Sequence, residues 1–166
     1  MKTKAILLAL SLISLGSNAQ GLKDAVGKYF LIGAAINVNQ SNGTDKPAVE
    51  VLKTHFNSIV AENCMKSASL QPEEGKFSWK DADNLVKFGQ DNHMTIIGHC
   101  LVWHSQAPRW MFTDKEGKTV SRDVLIKRMT THIRTVVSHF KGKVHGWDVV
   151  NEAFNDDGTM RQSPYY

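Results

Sequence analysis

The chain alternates short apolar segments with longer segments of helical periodicity, and this alternation most limits the folds that it can adopt. The short segments are rich in β-branched and aromatic residues, which predicts buried strands. The four predicted strands span residues 30–36, 58–61, 94–97 and 144–150. Between them, helices are predicted to begin after Asp45, Ser78 and Ser121. This order predicts an α/β fold with a parallel sheet and right-handed crossovers.

The length of the chain leaves two versions of this fold open. Four strand-helix units are half of an eight-fold barrel, which usually takes about 250 residues. A four-stranded doubly wound sheet would fit the length, but no Gly-rich phosphate turn follows the first strand, because Gly33 lies inside it. Residues 38–46 and 70–77 contain Gly, Ser or Pro and predict loops, and Asn92 suits the end of a helix.

The first residues predict the compartment of the protein. Lys2 and Lys4 precede an apolar run over residues 5–15, and small residues lead up to Ala19. This pattern is typical of a secretory signal peptide, here residues 1–19, cut before Gln20. The run is too short to span a membrane. We therefore expect a secreted or periplasmic protein in which residues 20–166 form one domain without a membrane partner.

Composition and cysteine content exclude some classes of partner. The chain is 42% hydrophobic and 22% charged, which permits a sizeable core. Its net charge of +4 includes Lys2 and Lys4 and is too weak and scattered to indicate nucleic acid. An exported chain could pair Cys64 with Cys100, but two free thiols in or near the core are the favoured interpretation. Neither cysteine has the spacing of a metal site.

Polar side chains cluster where three of the four predicted strands end. These side chains are Glu62, Asn63 and Lys66 after the second strand, His99, Trp103, His104 and Gln106 after the third, and Asn151 and Glu152 after the fourth. Parallel strands place their carboxyl ends on one face, where α/β enzymes carry their catalytic groups. A solvated lysine, an interior histidine or a core tryptophan would each be ordinary alone. Their coincidence on three strands favours a functional site.

The residue types in this cluster indicate the kind of ligand. Amides, imidazoles and a lysine beside an indole suit a neutral polyhydroxylated molecule, since they donate to and accept from hydroxyl groups. A metal site at His99 and His104 is disfavoured, because a five-residue step is not the usual same-face spacing and no carboxylate is spaced with them. We expect neither a metal nor another cofactor.

Four short motifs carry a family resemblance. They are Gly33-Ala34-Ala35, Glu62-Asn63-Cys64-Met65-Lys66, the segment from Gly98 to Gln106, and Trp147-Asp148-Val149-Val150-Asn151-Glu152. In this order they resemble the first four strand motifs of the family 10 glycoside hydrolases, the endo-β-1,4-xylanases. The resemblance runs from about Tyr29 to Tyr166. It implies the first half, about four βα units, of a (β/α)8 TIM barrel that is truncated here.

The resemblance also implies roles for single residues in binding xylan or xylo-oligosaccharides. Glu152 would be the general acid/base, and Asn151 would hold the 2-hydroxyl of the sugar at the cleaved bond. The subsites on the non-reducing side would be shaped by Lys66, His99, Trp103 and Gln106, with Glu62 and Asn63 at the next sugar outward. His104 is expected to be structural or to support a neighbouring site residue. Cys64 and Cys100 stand where Ser and Thr are more familiar in the family.

The resemblance leaves the catalytic pair incomplete. Retaining hydrolysis needs two carboxylates about 5–5.5 Å apart, and the family's nucleophile is a Glu at the end of the seventh strand, to which nothing here corresponds. Glu62 resembles a sugar-binding position instead. We expect the chain to be inactive alone and to need the C-terminal half of the barrel, from the same gene or a separate chain. A non-catalytic carbohydrate-binding or assembly fragment and a metal-dependent hydrolase are the alternatives.

Overall fold

The computed structural model describes residues 20–166, so the predicted signal peptide at residues 1–19 lies outside the described residues. The helices in this part of the chain are α1 (Leu22–Val26), α2 (Val38–Ser41), α3 (Lys46–His55), α4 (Ser67–Leu70), α5 (Lys80–Asp91) and α6 (Arg122–His139), with a 3₁₀ turn at Arg109–Met111. The strands are β1 (Gly33–Ile36), β2 (Ser58–Ala61), β3 (Thr95–Trp103) and β4 (Gly146–Asn151). Over the described residues, no helix is long and apolar enough to cross a membrane.

The strands form one parallel sheet in the order β1-β2-β3-β4. Ile59 lies between Ala34 on β1 and Ile96 on β3, and every neighbouring pair of strands is parallel. This confirms the predicted α/β fold. A doubly wound sheet reverses its strand order at a switch point, whereas here the spatial order follows the sequence, as it does in a barrel.

The core lies between the sheet and the helices. Leu85 and Val86 on α5 are buried against the strand residues Ile59 and Ile96, and each of the four is at most 2% exposed. Gly89 in the same helix is required by close packing, because a Cβ there would lie 2.6 Å from the Ile96 side chain. The sheet is therefore held from its outer face by tightly packed helices.

The helix ends agree with the sequence at most positions. The Asp45 carboxylate accepts a hydrogen bond from the Ala48 N–H at the start of α3, and Ser121 accepts from Val124 at the start of α6. Asn92 ends α5 as predicted. The predicted cap at Ser78 is wrong, because the N-cap position of α5 is Trp79 and no side chain caps it. The backbone N–H of Ser78 donates instead to the carbonyl of Leu70.

Three strand predictions need correction. The first strand begins at Gly33, since Phe30 is 57% exposed and lies before it. The third extends from Thr95 through Trp103, because pairing with β4 continues past the predicted end. The fourth is not buried, since its Val149 is 57% exposed on an edge strand.

Short helices account for the remaining differences between sequence and structure. The predicted loop at residues 38–46 contains α2, which begins where the Asn37 side chain accepts from the N–H groups of Asn39 and Gln40. Residues 71–77 form a loop as predicted, directly after α4. Helices of four or five residues carry too little periodicity to be predicted from spacing.

Candidate active site

A chain of contacts joins the carboxyl ends of β2, β3 and β4. The Lys66 ammonium nitrogen lies 4.7 Å from the ring centroid of Trp103. The indole Nε1–H of Trp103 donates a hydrogen bond of 3.0 Å to Oε2 of Glu152. Each of the three residues belongs to a different strand end, so the parallel sheet brings together groups that are far apart in the sequence. A cation, an aromatic face and a carboxylate thus lie side by side at this edge.

The position of Lys66 is unusually well defined for a lysine. Only 7% of the residue is exposed, and its Nζ donates a hydrogen bond of 2.9 Å to Oδ1 of Asn63. The backbone N–H of Lys66 donates to the Asn63 carbonyl as well. A buried ammonium requires such partners. Lys66 is therefore part of a fixed surface.

His99 is held by the neighbouring strand. Its Nδ1 lies 2.9 Å from Oδ2 of Asp148, and the two residues are register partners on β3 and β4. The His99 ring centroid is 6.2 Å from that of Trp103. The sequence analysis missed Asp148, because its position across from His99 depends on the register between β3 and β4. The carboxylate fixes the ring orientation of the imidazole.

Glu152 is held in an uncommon backbone conformation. Its φ of +52° lies in the left-handed region, which a residue other than Gly adopts at a cost. The Arg161 guanidinium donates a 3.0 Å hydrogen bond from Nε to the Glu152 carbonyl. Nε2 of His104 lies 3.8 Å from the carboxylate Oε2. Sequence reasoning missed Arg161, which lies in the segment after the strand. His104, expected to be structural or to support a neighbouring site residue, lies beside Glu152.

Asn151 and Glu152 line a cavity of about 210 Å³. The other residues around it include Trp103, His104, Arg161 and Tyr165. Burial raises the pKa of Tyr165 to about 12, so the phenol is neutral at ordinary pH. The half-exposed Glu152 carboxyl group thus faces a space lined by indole, imidazole, amide and phenol groups. Apolar side chains, among them Val102, Met129 and Met160, line much of the rest, so the cavity offers both polar groups and apolar surface to a ligand.

Three predicted site residues, Glu62, Asn63 and Gln106, lie wholly or partly outside this group. Glu62 and Asn63 line a separate groove of about 340 Å³ with Asn37 and Asn39. Gln106 is exposed, has a φ of +48°, and contributes its backbone carbonyl as acceptor for the Ala68 N–H. The structure therefore gathers Lys66, Trp103 and Glu152, with Asn63 linking this group to the outer groove. Within residues 20–166, the Gln106 side chain makes no hydrogen bond.

The two cysteines lie behind this surface as separate thiols. Cys64 and Cys100 are both buried and unpaired in the described chain, which confirms the favoured interpretation. Burial raises the pKa of each thiol to about 11, so both are protonated and unreactive at neutral pH. Within residues 20–166, no group of three or more His, Cys, Asp or Glu side chains is arranged to hold a metal ion.

Comparison with known proteins identifies the family. A family model described as glycosyl hydrolase family 10 matches residues 21–166. The chain belongs to glycosyl hydrolase family 10. Endo-1,4-beta-xylanase A of Xylanibacter ruminicola is 56% identical over 160 residues, which cover 96% of this chain and 43% of that protein. Endo-1,4-beta-xylanase C of Paenibacillus barcinonensis is 47% identical over 155 residues, covering 92% of this chain and 14% of that protein.

Solved structures of the family share this fold. An intracellular xylanase from Thermoanaerobacterium saccharolyticum superposes with a TM-score of 0.84 at 41% identity, over 90% of this chain and 48% of that chain. A family 10 protein from Paenibacillus barcinonensis gives a TM-score of 0.82 at 48% identity, over 87% of this chain and 42% of that chain. Together with the strand order, this confirms the predicted first half of a (β/α)8 barrel. The chain spans less than half the length of these relatives.

Proposed function

We propose that the described residues form the sugar-binding wall and carry the general acid/base of an endo-1,4-β-xylanase. The reaction is hydrolysis of internal β-1,4-xylosidic bonds in xylan with retention of configuration. The observation that carries this proposal is the hydrogen bond from Trp103 to Glu152 beside Lys66. Structures of variants of the Thermoanaerobacterium saccharolyticum xylanase in complex with xylotriose and with xylotetraose support xylan as the substrate class.

The surroundings of Glu152 suit a proton donor and acceptor. Trp103 and His104 both approach Oε2 of the carboxyl group. Oε1 is therefore the oxygen left to deliver a proton to the leaving glycosidic oxygen and later to take one from water. The Arg161 hydrogen bond to the Glu152 carbonyl fixes the backbone from which this side chain extends.

The neighbouring groups suit the binding of a xylose chain. The proposal assigns the sugar hydroxyls to Lys66, His99, Gln106 and Asn151 near the cleaved bond, and to Glu62 and Asn63 in the outer groove. Support comes from the contacts between the Lys66 ammonium, the Asn63 amide and the Trp103 ring, which form one continuous surface. That surface offers donors and acceptors together with an apolar indole face.

The second carboxylate of the reaction is assigned to the other half of the barrel. Among residues 20–166, Glu152 is the only carboxylate that lines the 210 Å³ cavity. Glu62 lies in the separate groove and cannot replace a nucleophile there. We therefore expect this chain to bind xylo-oligosaccharides and to release no reducing sugar until the C-terminal half supplies a nucleophile.

The test is a hybrid barrel. This chain is joined to the part of the Xylanibacter ruminicola xylanase A that it does not match, and release of reducing sugar from xylan is measured. Glu152→Gln should lower the rate about 10²- to 10⁴-fold, because the amide cannot deliver a proton. The loss should be smaller for aryl xylosides with good leaving groups. Glu62→Gln is the matched control and should act chiefly on KM.

Other outcomes separate the remaining hypotheses. Sugar binding without turnover in a folded hybrid would favour a carbohydrate-binding or assembly role. Activity abolished by a chelator would favour a metal-dependent hydrolase. An unchanged rate for Glu152→Gln would remove Glu152 from its role.

We also propose that the protein is secreted or periplasmic, since residues 1–19 have the pattern of a signal peptide. Expression of the full chain in a bacterial host, followed by N-terminal sequencing of the exported product, tests this. A mature N-terminus at Gln20 is expected. An uncut chain retained in the cytoplasm would contradict the proposal.

A further inference from the structure

Helix α4 connects the sugar site to a buried polar group on the far side of the helix. Lys66 is the N-cap residue of α4, and Gln71 is its C-cap residue. Gln71 is only 2% exposed, although it is polar. A buried amide of this kind requires hydrogen-bond partners. Its partners therefore show what holds α4 in place.

Gln71 is tied to two other parts of the chain. Its side-chain Oε1 lies 2.8 Å from Nδ1 of His132, a residue of α6 that is 1% exposed. Its backbone carbonyl accepts a 3.0 Å hydrogen bond from the indole N–H of Trp110 in the 3₁₀ turn. The C-terminal end of α4 is thus fastened to both α6 and the loop that follows β3.

The hydrogen bond between Gln71 and His132 defines the protonation of the imidazole. A side-chain carbonyl oxygen only accepts, so Nδ1 of His132 carries the hydrogen and donates it. Nε2 is buried and has no partner among the described residues. Burial lowers the pKa of His132 to about 4, which keeps the ring neutral with a single N–H. That N–H is directed at Gln71.

The hydrogen bond between Gln71 and His132 restricts the position of α4 more than apolar packing alone would. Leu70 is fully buried beside Gln71, and Phe77 stacks against the His132 ring with centroids 6.2 Å apart. Apolar contacts tolerate small shifts of a helix of four residues, whereas a buried hydrogen bond with one donor and one acceptor specifies one position. At the other end, the Ala68 N–H donates to the Gln106 carbonyl.

We propose that Gln71 and His132 are positioning residues of the sugar site, which hold α4 so that the Lys66 ammonium stays over Trp103 and against Asn63. This inference rests on the proposed xylan-binding function of that surface. Both residues are too deeply buried to contact a ligand on that surface. Their loss should displace Lys66 and weaken sugar binding, while leaving the proton transfer by Glu152 intact.

Four variants test the proposal. His132→Leu removes the N–H donor, and His132→Asn restores a donor at the place of Nδ1. Val136→Ala is the matched control, because Val136 is equally buried one turn further along α6 and makes no side-chain hydrogen bond. Should His132→Leu fail to fold, Gln71→Met removes the acceptor of the same hydrogen bond and gives the same test.

The first readout needs no sugar. The ring current of Trp103 should shift the NMR signals of the Lys66 εCH₂ protons upfield in the full chain. We expect His132→Leu to lose this shift and to speed amide exchange in α4 about tenfold, while His132→Asn and Val136→Ala keep the shift. A shift that survives in His132→Leu, or is lost equally in Val136→Ala, would overturn the proposal.

The second readout is the hybrid barrel. His132→Leu should raise KM for xylotetraose about tenfold, because a displaced Lys66 ammonium loses a hydrogen bond to the sugar, with kcat changed less than about twofold. An equal fall of kcat in His132→Leu and Val136→Ala would indicate lost stability only and would contradict positioning. Were the hybrid inactive, the xylanase function would fail, while the Lys66 signal would still decide the role of His132.

Discussion

The two sides of the candidate site differ in how they are held. On the side of β2 and β3, Lys66 is 7% exposed and the strand residue Ile96 is fully buried beneath α5. On the side of β4, Val150 is 56% exposed and the Glu152 side chain is 50% exposed. This difference indicates that the sugar-binding wall is fixed by a packed core. Glu152, directly after the edge strand β4, is held by two hydrogen bonds: Trp103 donates to its carboxylate and Arg161 to its backbone carbonyl.

The largest expected effect contrasts the two strands directly. Ile96→Ala should lower the free energy of unfolding by about 3 kcal/mol, because it leaves a cavity in a closed core. Val149→Ala should lower it by less than about 1 kcal/mol, since that side chain is already largely in water. Urea denaturation measures both. Equal losses of unfolding free energy would show that β4 is covered in solution. The two sides of the site would then not differ in how they are packed.

The buried His132 should also make the stability of the protein depend on pH. His132 has a pKa lowered to about 4, so between pH 6.5 and 4 the unfolded chain binds a proton that the folded chain does not. Stability is therefore retained above about pH 6.5 and falls by roughly 3 kcal/mol as the pH drops to 4. The measurement is the difference in unfolding free energy between the parent and His132→Asn across this range. A constant difference would show that His132 titrates normally.

On the side of β4, the loss of the Arg161 side chain should have only a local effect on stability. Arg161→Met removes the donors to the carbonyls of Glu152 and Phe154 and should cost about 1 kcal/mol. Amide exchange should rise around residues 152–161 and stay unchanged in α5. Arg134→Met is the control, because Arg134 is exposed on α6 and makes no side-chain hydrogen bond within residues 20–166. A uniform rise across the chain would contradict the separation of the two sides.

The smallest expected effect tests whether the burial of a side chain, rather than its location on the side of β2 and β3, determines how much it contributes to stability. Lys87 lies on α5, on the buried side, but its side chain is 72% exposed and pairs with Asp91 at 2.8 Å. Lys87→Ala should cost no more than about 0.5 kcal/mol, because exposed ion pairs contribute little. Thermal unfolding at low and high salt checks this. A loss of stability comparable to that of Ile96→Ala would show that the exposure of a side chain does not determine its contribution to the free energy of unfolding.

Much of the fold follows from the sequence because local signals agree with tertiary packing. The second strand was predicted at residues 58–61 and lies there, since a short β-branched run is fully enclosed by its neighbours. The starts of α3 and α6 were predicted because Asp45 and Ser121 cap through their own side chains. The extent of β3 was not, because its last residues are held by pairing with β4, which no local pattern encodes.

The site was predictable only in part. Lys66 and Glu152 follow strands and Trp103 ends one, so topology alone brings them together. Asp148 depends on the register between β3 and β4, and Arg161 on how the segment after β4 folds back onto Glu152. The roles assigned to the predicted site residues remain predictions, to be decided by the variants described above.

The hydrogen bond between Trp103 and Glu152 has a further consequence. An indole whose N–H donates to a carboxylate emits according to the local field, and that field changes when the carboxylate gains a proton or moves toward a ligand. The protein therefore carries an intrinsic fluorescent probe within hydrogen-bonding distance of the proposed acid/base. A Trp103→Phe reference spectrum would separate its emission from that of Trp79, Trp110 and Trp147. Changes in the surroundings of Glu152 could then be followed optically, without substrate and without a completed barrel.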